Sequence, residues 1–164
     1  MPLLIQQNVD GSNFFNRSWA EFKVGFNDNR GNYWLGNEQL HQLTHSGRYK
    51  LRFDLQSRPN LTWYYAEYSS CVISSEASNY RIQVSGYSGN AGDPFAGYHN
   101  GMMFSTYDHD NDQHELDHIH CAALHGSGFW FNACAYCNVN SARRDFFRWR
   151  SGFLLQSTRM WLMC

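Results

Sequence analysis

The chain has 164 residues, of which 43% are hydrophobic and 16% charged. That suits one domain with a sizeable core and excludes a disordered tail protein. Lys and Arg number 13 and Asp and Glu 14, a net charge of −1, which excludes the basic footprint of a nucleic-acid binder or of a protein held on an anionic membrane.

In chain order, Leu3 to Val9 reads as a strand ended by the Asp10-Gly11 turn dipeptide. Ser18-Trp19-Ala20-Glu21 has the form of a capping box, opening a short helix that stops near Gly25. Asn37 to Thr44 predicts a second short helix, with Leu40 and Leu43 one turn apart. Tyr49 to Leu55 alternates apolar and polar residues, the period of a half-buried strand. Thr62 to Tyr68 and Tyr80 to Val84 add two more, and Phe153 to Leu162 reads as a last strand. Gly86 to Asp108 is Gly-rich and polar and reads mostly as loop, and little regular structure is expected as far as residue 148. No repeat or low-complexity linker marks a boundary, so residues 1–164 form a single domain. Aromatic residues at 17% and 13 Gly against 3 Pro suggest a loop-rich α+β domain rather than a helical bundle. No stretch reaches the roughly 18 apolar residues of a membrane span. Met1 to Ile5 is too short for a signal peptide, which leaves processing, truncation and lack of export all open.

Three constellations carry chemistry. Tyr107-Asp108-His109-Asp110-Asn111-Asp112-Gln113-His114 sets three carboxylates at alternate positions. Hard oxygen donors of this kind suit Ca²⁺, with carbonyls completing the shell. An EF-hand is excluded, because Gln113 and Ile119 stand where Gly and the bidentate Glu belong. A single-loop Ca²⁺ site and a solvated acidic turn both fit the run. His109, His114, His118, His120 and His125 crowd around Cys121, but none forms a helical H-E-x-x-H pair, and exposed loop histidines are favoured over zinc. Cys121 and Cys134 would, if bonded, close a short loop and stabilise it by about 3 kcal/mol; two buried free thiols are the alternative. Cys134-Ala-Tyr-Cys137 is a lone C-x-x-C, a weak redox or zinc hint. Asn16-Arg17-Ser18 and Asn60-Leu61-Thr62 are N-glycosylation sequons. No arrangement for nucleophilic or acid–base catalysis is evident, so no enzyme is expected.

Many ordered segments together resemble the fibrinogen C-terminal domain family, which includes ficolins, tachylectin-like lectins and angiopoietin receptor-binding domains. They run from Ile5-Gln6-Gln7, Asp10-Gly11-Ser12 and Phe15 to Trp19, through Phe22 to Phe26 and Gly31 to Asn37. Leu51 to Leu55, Tyr87 to Asp93, Phe104 to Asp108, Cys121-Ala122, Phe129 to Cys134 and Asn138-Val139-Asn140 continue the series. The resemblance implies an α+β domain with a central antiparallel sheet, short helices and a loop-rich, calcium- and ligand-binding C-terminal region. It implies Ca²⁺ held by the carboxylates of Asp110 and Asp112 and the carbonyls of His114 and Leu116, although the stretch from Asp112 to Cys121 is longer than usual. It also implies a Cys121–Cys134 disulfide and a cis peptide bond at Ala133–Cys134.

The implied function is calcium-dependent recognition of acetyl groups by a secreted, extracellular innate-immune lectin. Its targets would be acetylated glycans on microbial surfaces, bound by several copies in the parent protein. A binding module for a protein ligand or receptor is the alternative. The ligand cup would use backbone N–H groups near Ala133, Cys134 and Ala135, with His125 and Tyr136 lining a modified wall. Ala135 replaces a His frequent in the family, and the stretch between Asn140 and Trp149 is short. The family's N-terminal subregion has no counterpart, while Cys71, Cys137 and Cys164 are extra, the last suited to a covalent link with another polypeptide.

Overall fold

The computed structural model describes residues 1–164. Strand β1 (Leu3–Asn8) leads through a short 3₁₀ turn to helix α1 (Trp19–Val24), strands β2 (Phe26–Asn27) and β3 (Tyr33–Trp34), and helix α2 (Asn37–Ser46). Three long strands follow: β4 (Lys50–Ser57), β5 (Trp63–Ile73) and β6 (Ile82–Gly89). Helices α3 (Pro94–Tyr98) and α4 (Cys121–His125) punctuate the loop region before β7 (Arg148–Arg150) and β8 (Phe153–Met163). All strands pair antiparallel in one sheet ordered β2-β3-β1-β8-β4-β5-β6, with β7 beside β8. The first and last long strands are therefore neighbours, and the family-like α+β architecture is present.

The capping box forms: Ser18 accepts from the Glu21 N–H while the Glu21 side chain accepts from the Ser18 N–H. Gly25 closes α1 at φ 96°, and a Cβ there would stand 2.3 Å from the Leu35 carbonyl, so only glycine fits. In β4 the alternate residues Leu51, Phe53 and Leu55 are buried, as their period requires. The strand expected over Tyr80–Val84 starts later and reaches Gly89, because pairing with β5 extends as far as Ala66 opposite Gly89. The expected Gly86–Asp108 loop thus begins inside a strand. It also contains α3, opened by Asp93 capping the Ala96 N–H and by Pro94 in the first turn.

A register shift between Leu4 and Gln6 in the β1–β8 ladder makes Ile5 a bulge. Ile5 and Gln6 are consequently both fully buried, against simple alternation. The Gln6 amide then donates to the Val139 carbonyl (3.1 Å), Asn140 Oδ1 (2.9 Å) and Thr158 Oγ1 (3.1 Å). Asn8 Nδ2 adds a bond to the same Val139 carbonyl at 3.0 Å. This polar seam sews the loop region onto the sheet, while Trp34, Phe104, Phe129, Trp130 and Phe131 fill the space between them, all fully buried. Removing the Gln6 amide strands buried acceptors and opens a cavity. Gln6→Ala is expected to cost about 2–4 kcal/mol, measured as a lower urea midpoint at unchanged slope.

Candidate functional site

The Asp-rich run divides by role. Asp108 Oδ1 accepts from the Trp19 N–H at the start of α1 (2.9 Å) and from Thr106 Oγ1 (2.7 Å), so it is a structural cap. Asn111 anchors the loop, donating from Nδ2 to the Phe104 carbonyl and from its N–H to Ser105 Oγ, each at 2.9 Å. Asp110 and Asp112 are left as neighbours. Asp112 Oδ1 accepts from the His114 N–H (2.9 Å) and Oδ2 from the Cys121 N–H (2.8 Å), while Asp110 Oδ1 accepts from the Asp112 N–H (3.3 Å). Burial and the adjacent Asp110 carboxylate raise the Asp112 pKa above the ordinary value. Asp110 Oδ2 lies 3.7 Å from His120 Nε2. The Leu116 carbonyl accepts from the Ile119 N–H at 2.9 Å, using one of its two lone pairs. No three His, Cys, Asp or Glu side chains converge as a metal cluster, so a cation here would rest on two carboxylates and carbonyl oxygens, the donor chemistry of a hard ion.

Cys121 and Cys134 are bonded, and Ala133–Cys134 is cis. The bridge ties the acidic loop to the 132–137 segment, and the Gln113 N–H reinforces it by donating to the Asn132 carbonyl (3.0 Å). Tyr98, which composition hid in a presumed loop, donates its hydroxyl to the Ala133 carbonyl (2.9 Å). Its ring stacks on Tyr136 at 3.9 Å and 9°. Tyr136 is 57% exposed. The N–H groups of Cys134 and Ala135, both half-buried, donate to no other group of the protein.

The expected site residues do not all converge. Ala133, Cys134, Ala135 and Tyr136 share one segment beside the acidic loop. His125 is only 3% exposed, stacked on Phe146 at 4.4 Å and accepting from Asn138 Nδ2 at its Nδ1. It is a core residue and offers no wall to a ligand. The crowd of histidines is otherwise peripheral: His118 and His120 are not buried, and His109 stacks on Trp19 at 4.1 Å. The residue that organises the segment is His99, absent from the sequence-based candidates. It is fully buried, its Nδ1 donates to the Trp130 carbonyl (2.8 Å), and its Nε2 accepts from the Tyr136 and Cys137 N–H groups (3.1 and 3.3 Å). Those two donors fix the neutral Nδ1–H tautomer. Asp93-Pro94, a helix-opening signal a few residues upstream, was the available clue to its placement.

A disulfide-braced loop segment carrying free backbone donors and an exposed aromatic ring, mounted on an antiparallel sheet, has the parts of a ligand-binding module. Residues 2–158 match the family model of the C-terminal globular domain of the fibrinogen beta and gamma chains. The protein belongs to that family. It is 43% identical over 136 residues to protein scabrous of Drosophila melanogaster, covering 83% of this sequence and 16% of that protein. It is 42% identical over 137 residues to angiopoietin-4 of Bos taurus, covering 84% and 27%. Among solved structures, the fibrinogen-like globe domain of human ANGPTL2 superposes with a TM-score of 0.86 at 34% identity, over 99% of this protein and 79% of that one. The lamprey fibrin D-dimer complexed with the peptide Gly-His-Arg-Pro-amide gives 0.84 at 31% identity, over 97% and 60%. The protein spans less than two thirds of the length of the curated relatives it matches. No helix is long and apolar enough to cross a membrane.

Two measurements probe the site's scaffold. Burial lowers the pKa of His99 and His125 from 6.5 to about 4, with Arg148 and Arg143 adding to the effect at His125. The unfolded state therefore takes up these protons first, so stability present above pH 6.5 is lost as pH falls towards 4. A loss of about 3 kcal/mol per histidine is expected across that window, and His99→Gln should remove one histidine's share from urea titrations at pH 7.5 and 4.5. Replacing both Cys121 and Cys134 with Ser should cost about 3 kcal/mol, read as a drop in Tm that reducing agent does not deepen.

Proposed function

We propose that this protein is the calcium-dependent recognition domain of a secreted, extracellular protein that captures acetyl groups, as on N-acetylated sugars of microbial surfaces. The paired, unengaged N–H groups of Cys134 and Ala135 carry this reading. Two successive donors on a braced loop bind a carbonyl oxygen without reorganisation. The exposed Tyr136 ring, stacked on the half-buried Tyr98, supplies an apolar surface for the methyl group. Ala135, small where a His is frequent in the family, leaves the donors uncovered.

Asp110 and Asp112, with the carbonyls of His114 and Leu116, are the residues that would hold Ca²⁺. When bound, the ion supplies the positive charge that lets two adjacent carboxylates stay ionised and ordered. The Asp112–Cys121 bond and the disulfide then transmit that order to Cys134. One acetyl group buries little surface, so useful binding requires several copies in the parent protein and the avidity they provide.

A second reading, a protein or receptor ligand, draws support from the exposed apolar side chains Leu116, Leu124 and Tyr136, each at least 42% exposed, around the same loops. The angiopoietin relatives and the peptide-bound fibrin neighbour point the same way. A peptide carbonyl would satisfy the same two donors.

Retention on N-acetylglucosamine resin in Ca²⁺, with release by EDTA or by free acetate, is the expected result. Failure on all acetylated ligands alongside a Ca²⁺-dependent Tm would favour the protein-ligand reading. The Asp110→Ala, Asp112→Ala double variant should lose the Ca²⁺-induced rise in Tm, and an unchanged rise would overturn the assignment of these ligands.

A further inference from the structure

A separate cavity of about 460 Å³ lies where the β4–β5 and β7–β8 turns meet the end of β6. None of the residues discussed above for ion or acetyl binding lines it. Its charged members are Arg58 and Arg150, and no carboxylate lines it. Neither guanidinium takes part in any ion pair of the protein. Arg150 lies over the Phe153 ring at 5.6 Å, and that ring meets Tyr64 edge-on at 5.1 Å, so an aromatic floor backs the cation.

The two asparagines of the lining are polarised by the fold. Asn90 Oδ1 accepts from the Tyr65 N–H at 2.9 Å, which leaves its Nδ2 as the unengaged end. Asn60 Oδ1 accepts from Ser57 Oγ, again leaving Nδ2 unengaged. Each amide oxygen is thus engaged once by the fold, while each Nδ2 has no partner in the protein. Two unpaired guanidinium groups and two outward amide donors, with no acid among them, make a surface complementary to negative oxygen. The volume falls in the range of small-ligand sites, and the half-buried Tyr64 ring borders it as a surface for a sugar-sized ligand.

We propose that this cavity is a binding site for an oxyanion group, such as a sulfate, carried on a sugar-sized ligand. Arg58 and Arg150 clamp the anion, Asn60 and Asn90 donate to its remaining oxygens, and Tyr64 borders the rest of the ligand. The site is independent of the acetyl-binding reading and shares no residue with it. Asn60 is also the acceptor of a glycosylation sequon, and a glycan there would consume one of the donors.

The test uses the whole protein produced without N-glycosylation, in EDTA, with glucose 6-sulfate as probe. This sugar bears no acetyl group and so does not report on the Cys134 segment. Glucose 6-sulfate is expected to bind at least tenfold more tightly than glucose and than inorganic sulfate by calorimetry, with affinity falling as salt rises. Asn90→Asp keeps the acceptor for Tyr65 but replaces the outward donor with a carboxylate oxygen, and should abolish binding while leaving the Tm of the unliganded protein intact. The Arg58→Gln, Arg150→Gln double variant should do the same. Equal affinity for glucose and its sulfate, or binding that survives either variant, would overturn the oxyanion site. Inorganic sulfate binding as tightly as the sulfated sugar would overturn the sugar-sized ligand.

Discussion

His99 is the point at which the loop half of the molecule is held. Its imidazole is buried between Phe95 and Phe129, donating at one nitrogen to the Trp130 carbonyl and accepting at the other from two consecutive backbone N–H groups. Tyr136 and Cys137 have no strand partner there, so without this acceptor their N–H groups would be desolvated with no return. A charged imidazole donates at both nitrogens and cannot fill the role. Burial keeps it neutral, and neutrality keeps the segment in place.

From that anchor the braces run outward. Tyr98, adjacent in sequence, holds the Ala133 carbonyl, and Asn132 Nδ2 holds the Tyr98 carbonyl in return (2.8 Å). The disulfide and the Asp112 carboxylate fasten the other side. Few of these bonds belong to regular structure. Asn138 and Asn140 do for this region what a ladder does for a sheet, reaching Ser127, His125 and the Gly128 carbonyl. A segment satisfied in this way loses little conformational freedom when it meets a ligand, and rigid loops are what recognition requires. The Arg58–Arg150 cavity follows the same logic: local hydrogen bonds at the turns engage the amide oxygens of Asn60 and Asn90 and leave their Nδ2 groups without a partner in the protein.

Much of the scaffold was legible from local pattern. The alternation in β4, the Ser18–Glu21 capping box, the helix at α2 and the long final strand are set by residues within a few positions of one another. Such signals survive in a linear reading because side-chain period and cap chemistry are local. The Cys121–Cys134 pairing was one of two readings open from the residues themselves, and the family resemblance, carried by blocks spread along the whole sequence, singled it out.

What only the tertiary structure decided lies in contacts between distant positions. The Ile5 bulge turns Gln6 inward against alternation, and that choice has meaning only opposite Val139 and Asn140, more than 130 residues away. His125 sat in a polar, histidine-rich stretch but is enclosed by Phe131 and Phe146. His99 and Tyr98 lay in a Gly-rich region that read as loop, and the cavity arginines come from turns far apart in the sequence. Local sequence sets which way a short segment tends to fold. Which side chains meet in the interior is set by how the whole sheet and its loops close upon one another, and no window of neighbouring residues contains that information.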